Sequence, residues 1–158
     1  MNELLAAYNI MCLAIYIASD EPLPLVAWSV QSPAFHVIDL SEREQVVRKQ
    51  FANPFVYYVG TYEGCGCAFN YGREYPEYED NPEELKFAEE SVTRLADYLS
   101  DAVSKVGSVQ VFSCWEGESE KPPEHFREIV PDKIRQKDFI FRVPELLTIT
   151  VSATSLSS

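Results

Sequence analysis

Hydrophobic and polar residues alternate along several short stretches of the chain, a pattern that predicts β-strands. The strongest of these stretches starts at residue 55, where β-branched and aromatic residues follow one another. The other predicted strands are residues 11–18, 25–30, 35–40, 109–114, 139–143 and 147–151. We expect the last two strands to be antiparallel neighbours.

Two further segments have apolar residues at three- and four-residue intervals, which is typical of helices. The first covers residues 41–52 and begins with a capping box formed by Ser41 and Glu44. The second covers residues 82–106 and has Asn81 at its N-cap. It is the clearest helix in the sequence, because its apolar positions recur over its whole length.

The order of these elements predicts the α+β class: one domain, residues 1–151, with a mixed sheet of five to seven strands and two main helices. Strand–helix–strand units of these lengths favour parallel strands joined by a right-handed βαβ crossover. We expect one crossover around helix 41–52 and another around helix 82–106. The charged, proline-bearing segment 116–131 predicts a loop, with a short helix at 125–129. Residues after 151 are expected to form a flexible polar tail.

Composition narrows the function classes. A chain of 158 residues can bury a core as one domain. Its net charge of −12 argues against binding to nucleic acid or to anionic membranes. The apolar run 4–18 lacks the basic region of a signal peptide and is short for a membrane span. We therefore expect a cytoplasmic protein.

The four cysteines are the main candidates for chemistry. They are too few for a disulfide scaffold, so reduced thiols are expected. In extended backbone, residues two apart face the same side, so Cys65 and Cys67 can converge on one ligand. The second crossover brings Cys114 to the same sheet edge, and an antiparallel first strand would bring Cys12 there. The four residues predict a metal site, with zinc as one candidate, or a redox-active thiol site. The alternative is that the cysteines fill the core as small apolar groups.

A few other residues could take part in the chemistry of a thiol site. Only His36 and His125 could complete a zinc site or serve as base to a nucleophilic thiol. The predicted first crossover places His36 at the opposite sheet edge from Cys65. Translation from Met11 would expose an N-terminal cysteine, another form of nucleophile. Because the common phosphate-binding, dinucleotide-binding and nucleophile-elbow motifs are absent, the sequence does not decide whether the protein is an enzyme.

An acidic segment supports a different function. Residues 74–90 hold eight acidic side chains against the single basic residue Lys86. They form either a solvated surface beside a helix N-terminus or the docking face of a non-catalytic interaction module. In the second case the partner is a basic protein, and tyrosines supply the aromatic anchors. The residues predicted to bind it are Tyr71, Tyr75, Glu77, Tyr78 and Glu79.

Overall fold

Six strands form one mixed sheet in the computed structural model, which describes residues 12–70 and 80–151. The strands are β1 (Leu13–Ser19), β2 (Phe35–Asp39), β3 (Phe55–Thr61), β4 (Ser108–Trp115), β5 (His125–Ile129) and β6 (Glu145–Thr150). Their spatial order is β2-β3-β1-β4-β6-β5. All neighbours are antiparallel except β5 and β6, which run parallel. This sheet and its two main helices confirm the α+β prediction. The start of the predicted domain and the predicted tail after residue 151 lie outside the described residues.

The long helix α1 spans Pro82–Val106, the bounds that the sequence predicts. At its start, the Asn81 side chain accepts a hydrogen bond from the Glu84 amide (3.3 Å). At its end, Gly107 has a φ of +90°, a conformation that favours glycine. The buried side chains of α1 are Ala88, Ser91, Val92, Leu95, Ala96, Leu99, Ala102 and Val103. No helix in the described ranges combines the length and apolarity that crossing a membrane requires.

The helix predicted over 41–52 is a 3₁₀ helix, Glu42–Gln50. The Glu44 carboxylate accepts a hydrogen bond from the Ser41 amide (3.0 Å), which is half of the predicted capping box. Only Val47 of this helix is buried. Val47 packs with Tyr16, so the 3₁₀ helix covers one face of the sheet. The helix α1 packs in the separate core cluster on the other face.

The first predicted crossover is wrong, since β2 and β3 are antiparallel neighbours. Asp39 at the end of β2 pairs with Tyr57 near the start of β3, so the connection leaves and re-enters the sheet at one edge. The second crossover is confirmed: β3 and β4 are both antiparallel to β1 and therefore run parallel to each other. The strand predicted at 25–30 is reduced to one bridge between Val26 and Val37.

The C-terminal prediction is also wrong in two respects. Residues 139–143 form no strand, although Phe139 and Phe141 are buried in the core as their alternation suggests. The short helix predicted at 125–129 is the edge strand β5, which pairs in parallel with β6. None of the five residues of β5 is fully buried, and its one aromatic side chain, Phe126, is 66% exposed, so the hydrophobic pattern does not reveal the strand.

A buried ion pair holds β5 beside β6. The Glu145 side chain is completely buried, and the Arg127 guanidinium donates to both of its carboxylate oxygens (2.7 and 2.8 Å). The Arg142 amide donates a third hydrogen bond to this carboxylate (3.2 Å). The bidentate geometry of the Arg127 guanidinium and the additional donor, the Arg142 amide, offset the cost of burying the Glu145 carboxylate.

We expect Arg127→Met to lower the free energy of unfolding by about 3–5 kcal/mol, because the buried Glu145 carboxylate would lose its counter-charge. Arg135→Met is the matched control, since Arg135 pairs with Asp97 at the surface. Its loss should stay below about 1 kcal/mol. Urea denaturation of both variants measures the difference, and equal losses would contradict the structural role of the buried pair.

Candidate metal centre

Three of the four cysteines meet at one edge of the sheet. Strand β1 lies antiparallel between β3 and β4, so Cys12 before its first residue lies where those two strands end. Cys65 and Cys67 follow the end of β3 at the same edge. The sulfur atoms of the three residues lie within 4.8 Å of one another, and all three residues are half-buried. Within the described residues, this is the one group of potential metal ligands of three or more at such spacing.

A tight turn after β3 positions Cys65. Both the amide and the hydroxyl of Thr61 donate to the Cys65 carbonyl (2.9 and 2.7 Å). The Gly64 amide donates to the Thr61 carbonyl (2.9 Å), and the φ of Gly64 is +89°. This positive φ favours glycine, because a side chain there would be strained. The turn therefore reverses the chain and returns the two thiols toward the sheet.

The same loop is fixed against the start of β1. The Gly66 amide donates to the Leu13 carbonyl (2.7 Å), and the Leu13 amide donates to the Cys67 sulfur (3.3 Å). A Cβ atom at Gly66 would lie 2.8 Å from Cγ1 of Ile15 and 3.1 Å from the Leu13 carbonyl oxygen. Gly66 is thus the residue that allows the loop to approach Cys12 so closely.

The surroundings of Cys12 and Cys65 favour the protonated form of these two thiols when no cation is bound. A hydrogen bond with Cys67, followed by burial, raises the pKa of Cys65 well above its ordinary value. Burial raises the pKa of Cys12, and the nearby Cys67 and Glu116 add to the effect. A bound metal cation reverses this preference, since a thiol that coordinates a metal loses its proton.

Cys114 does not join this group. It lies on β4 opposite Ala14, is 1% exposed and packs in the core on the 3₁₀-helix face of the sheet. Burial raises its pKa to about 12. Its environment matches the alternative given by the sequence, a small apolar group in the core.

His36 lies at the cysteine edge, contrary to the prediction that placed it at the opposite edge. The antiparallel pairing of β2 with β3 sets His36 opposite Gly60. Its ring fills the space that a Cβ atom at Gly60 would occupy, and the Gly64 carbonyl oxygen is 3.0 Å from that position. The residue is 7% exposed, burial lowers its pKa, and its Nδ1 atom has no hydrogen-bond partner. His125 lies on β5, the far edge strand of the sheet.

Sequence reasoning missed a group of polar side chains beside the cysteines. The Tyr16 hydroxyl donates to a Glu44 oxygen (3.0 Å), and the Tyr58 hydroxyl donates to the carbonyl of the residue before Cys65 (2.8 Å). Burial is the main cause that raises the pKa of both tyrosines. Both tyrosines occur at buried strand positions, where a phenol needs a polar partner. That requirement was the signal that could have found them.

A cleft of about 620 Å³ opens next to these tyrosines. Tyr16, Glu44 and Glu116 line it, and the Glu116 amide donates to the Cys12 carbonyl (2.8 Å). Partial burial raises the pKa of Glu116, and repulsion from Glu44 adds to this, while a hydrogen bond with Tyr58 opposes it. The Glu44 and Glu116 carboxylates in this cleft therefore place negative charge next to the cysteine edge.

The predicted partner-binding residues of the acidic segment lie outside the described residues. They are Tyr71, Tyr75, Glu77, Tyr78 and Glu79. Of the acidic residues that follow on α1, Glu83, Glu89 and Glu90 are exposed. The docking face stays a prediction.

We expect Gly66→Ala to lower the free energy of unfolding by about 1–3 kcal/mol, because the new methyl group would collide with Ile15 and with the Leu13 carbonyl. The variant should also move the loop away from β1 and disturb the thiol group. Urea denaturation measures the first effect, and the rate at which an aromatic disulfide reagent labels the thiols measures the second. Unchanged stability together with unchanged labelling would contradict the close packing of the loop.

Comparisons with protein-family models, with curated proteins and with solved structures returned no match. Function is therefore inferred from the geometry and the chemistry of the three thiols and their neighbours.

Proposed function

We propose that the protein binds one thiophilic metal ion, with zinc as the first candidate, through Cys12, Cys65 and Cys67. The observation that carries the proposal is that three sulfur atoms from two separate chain segments lie within 4.8 Å of one another. Tetrahedral zinc with bonds of about 2.3 Å to sulfur requires sulfur atoms about 3.8 Å apart. Small side-chain rotations would close this difference.

The choice of a metal over a nucleophilic thiol rests on the charges around the sulfur atoms. A reactive thiolate needs a neighbouring cation or base that lowers its pKa. Here the pKa values of Cys12 and Cys65 are raised, and the charged residue that acts on Cys12 is the acidic Glu116. A metal cation would offset both the cost of burying the thiolates and their repulsion by Glu116, whereas both effects would destabilise a free thiolate.

The donor set also limits the metal. Thiolate ligands select soft or borderline ions such as zinc and copper(I), and they discriminate against magnesium and calcium. An ion held by Cys12 and by the Cys65–Cys67 pair would link the start of β1 to the loop after β3. Such a link joins segments that are distant in sequence, as structural metal sites do.

We expect purified wild-type protein to carry or to take up one metal ion, and the Cys65→Ser/Cys67→Ser double variant to lose it. Native mass spectrometry under reducing conditions measures the mass increment. Cys114→Ala is the matched control: it removes a thiol outside the group, should keep the ion and should cost about 1 kcal/mol of stability.

Two results would contradict the metal function. Wild-type protein that stays at its apo mass in excess zinc would rule out the metal function, and the predicted docking face in the acidic segment 71–90 would become the leading candidate. A mass lower by the two hydrogen atoms of a disulfide, formed in air and reversed by reductant, would instead favour a redox pair of thiols.

We expect the affinity for zinc to rise with pH between about 6 and 8, by up to tenfold per pH unit for each proton released. The sign follows from the raised pKa values of Cys12 and Cys65: both thiols carry protons at neutral pH, and metal binding must remove them. Titration calorimetry in buffers of different ionisation enthalpy measures the protons released. An affinity independent of pH would contradict thiolate ligation, and Cys114→Ala should leave the slope unchanged.

A further inference from the structure

His36 holds an unsatisfied polar atom in the interior. Its Nδ1 is the one buried side-chain nitrogen or oxygen atom without a hydrogen-bond partner in the described part of the chain. Buried polar atoms are nearly always paired, and an unpaired one in a folded protein needs an explanation such as an absent ion. The residue is 7% exposed, so its surroundings offer little solvent as a substitute partner.

The position of His36 connects it to the cysteine loop. Its imidazole packs over Gly60 on β3, and any side chain at Gly60 would displace the ring. The Gly64 carbonyl borders the same space, and Gly64 directly precedes Cys65. The ring also approaches Tyr58, with 6.2 Å between the ring centres. Two glycines and a turn thus bring a neutral imidazole against the loop that carries two of the thiols.

We infer that His36 is the fourth ligand of the proposed metal site, which then has the closed donor set of three cysteines and one histidine. The inference rests on the proposed function. The nitrogen atoms of His36 lie outside the group of sulfur atoms that are within 4.8 Å of one another. Ligation therefore requires the imidazole and the loop to move toward each other, and no hydrogen bond of Nδ1 has to break.

Metal binding at this site changes protonation but no oxidation state. Three thiols release their protons to solvent, His36 contributes a nitrogen lone pair, and no electron is transferred. A site with three sulfur ligands and one nitrogen ligand is one of the common four-coordinate structural zinc sites. The bound ion would join β1, the loop after β3 and the edge strand β2, so its role would be to hold one edge of the sheet together.

Two measurements on the complete chain test this inference. Long-range proton–nitrogen correlation spectra of wild-type protein follow both histidines during a zinc titration. Cobalt(II) absorption reports the ligands: the thiolate-to-cobalt charge-transfer band counts sulfur atoms, and the d–d bands respond to replacement of a nitrogen by an oxygen ligand. His36→Gln is the test variant, and His125→Gln is the matched control because His125 lies on the far edge strand.

We expect zinc to shift the ring nitrogens of His36 and to leave those of His125 unchanged. His36→Gln should weaken cobalt(II) binding by at least about tenfold and alter the d–d bands while the charge-transfer band persists. His125→Gln should reproduce the wild-type spectrum. A charge-transfer band that forms without any shift of the His36 nitrogens would overturn the ligand assignment and leave the three-cysteine site intact. Absence of both signals in wild-type protein would overturn the proposed function itself, whether or not the variant folds.

Discussion

The antiparallel pairing of β1 with both of its neighbours is the constraint on which the candidate site depends. Ile15 of β1 pairs with Val59 on one side and with Ser113 on the other, so the strand is held in register along both edges. A slip of one residue would turn the buried side chains of β1 to the wrong face, so the packing of the core fixes the register. Because that register is fixed, Cys12 has one position, at the edge where β3 ends.

Glycines then determine how closely the other groups can approach. Gly66 allows the loop to contact β1, and Gly60 allows the His36 ring to lie against β3. Gly64 allows the turn between them. The cysteine loop therefore contacts the start of β1 through Gly66, and its Gly64 carbonyl borders the space that the His36 ring fills beside Gly60. These three glycines make it possible for Cys12, Cys65, Cys67 and His36 to share this edge of the sheet.

Local signals explain which parts of the fold the sequence predicts. The bounds of α1 follow from Asn81 and Gly107, which act within one helical turn. The approach of Cys12 to the thiol pair follows from one assumption, that the first strand is antiparallel to its neighbours. Long-range effects explain the failures. A strand–helix–strand pattern does not distinguish a crossover from a return to the same edge, and β5 is held by the pairing of Arg127 with Glu145 across 18 residues of chain. Neither feature produces a periodic pattern.

The direction of β2, which the sequence analysis predicted wrongly, decides whether His36 lies at the cysteine edge. A parallel β2 removes His36 from the cysteine edge and leaves three thiols with an open coordination position, as in a catalytic centre. An antiparallel β2 returns the histidine to that edge and makes a closed structural site accessible. The direction of one edge strand thus separates a three-cysteine site with an open position from the proposed closed site. Because the ligands of the closed site come from β1, β2 and the loop after β3, the free energy of metal binding would also contribute to the folding of this edge.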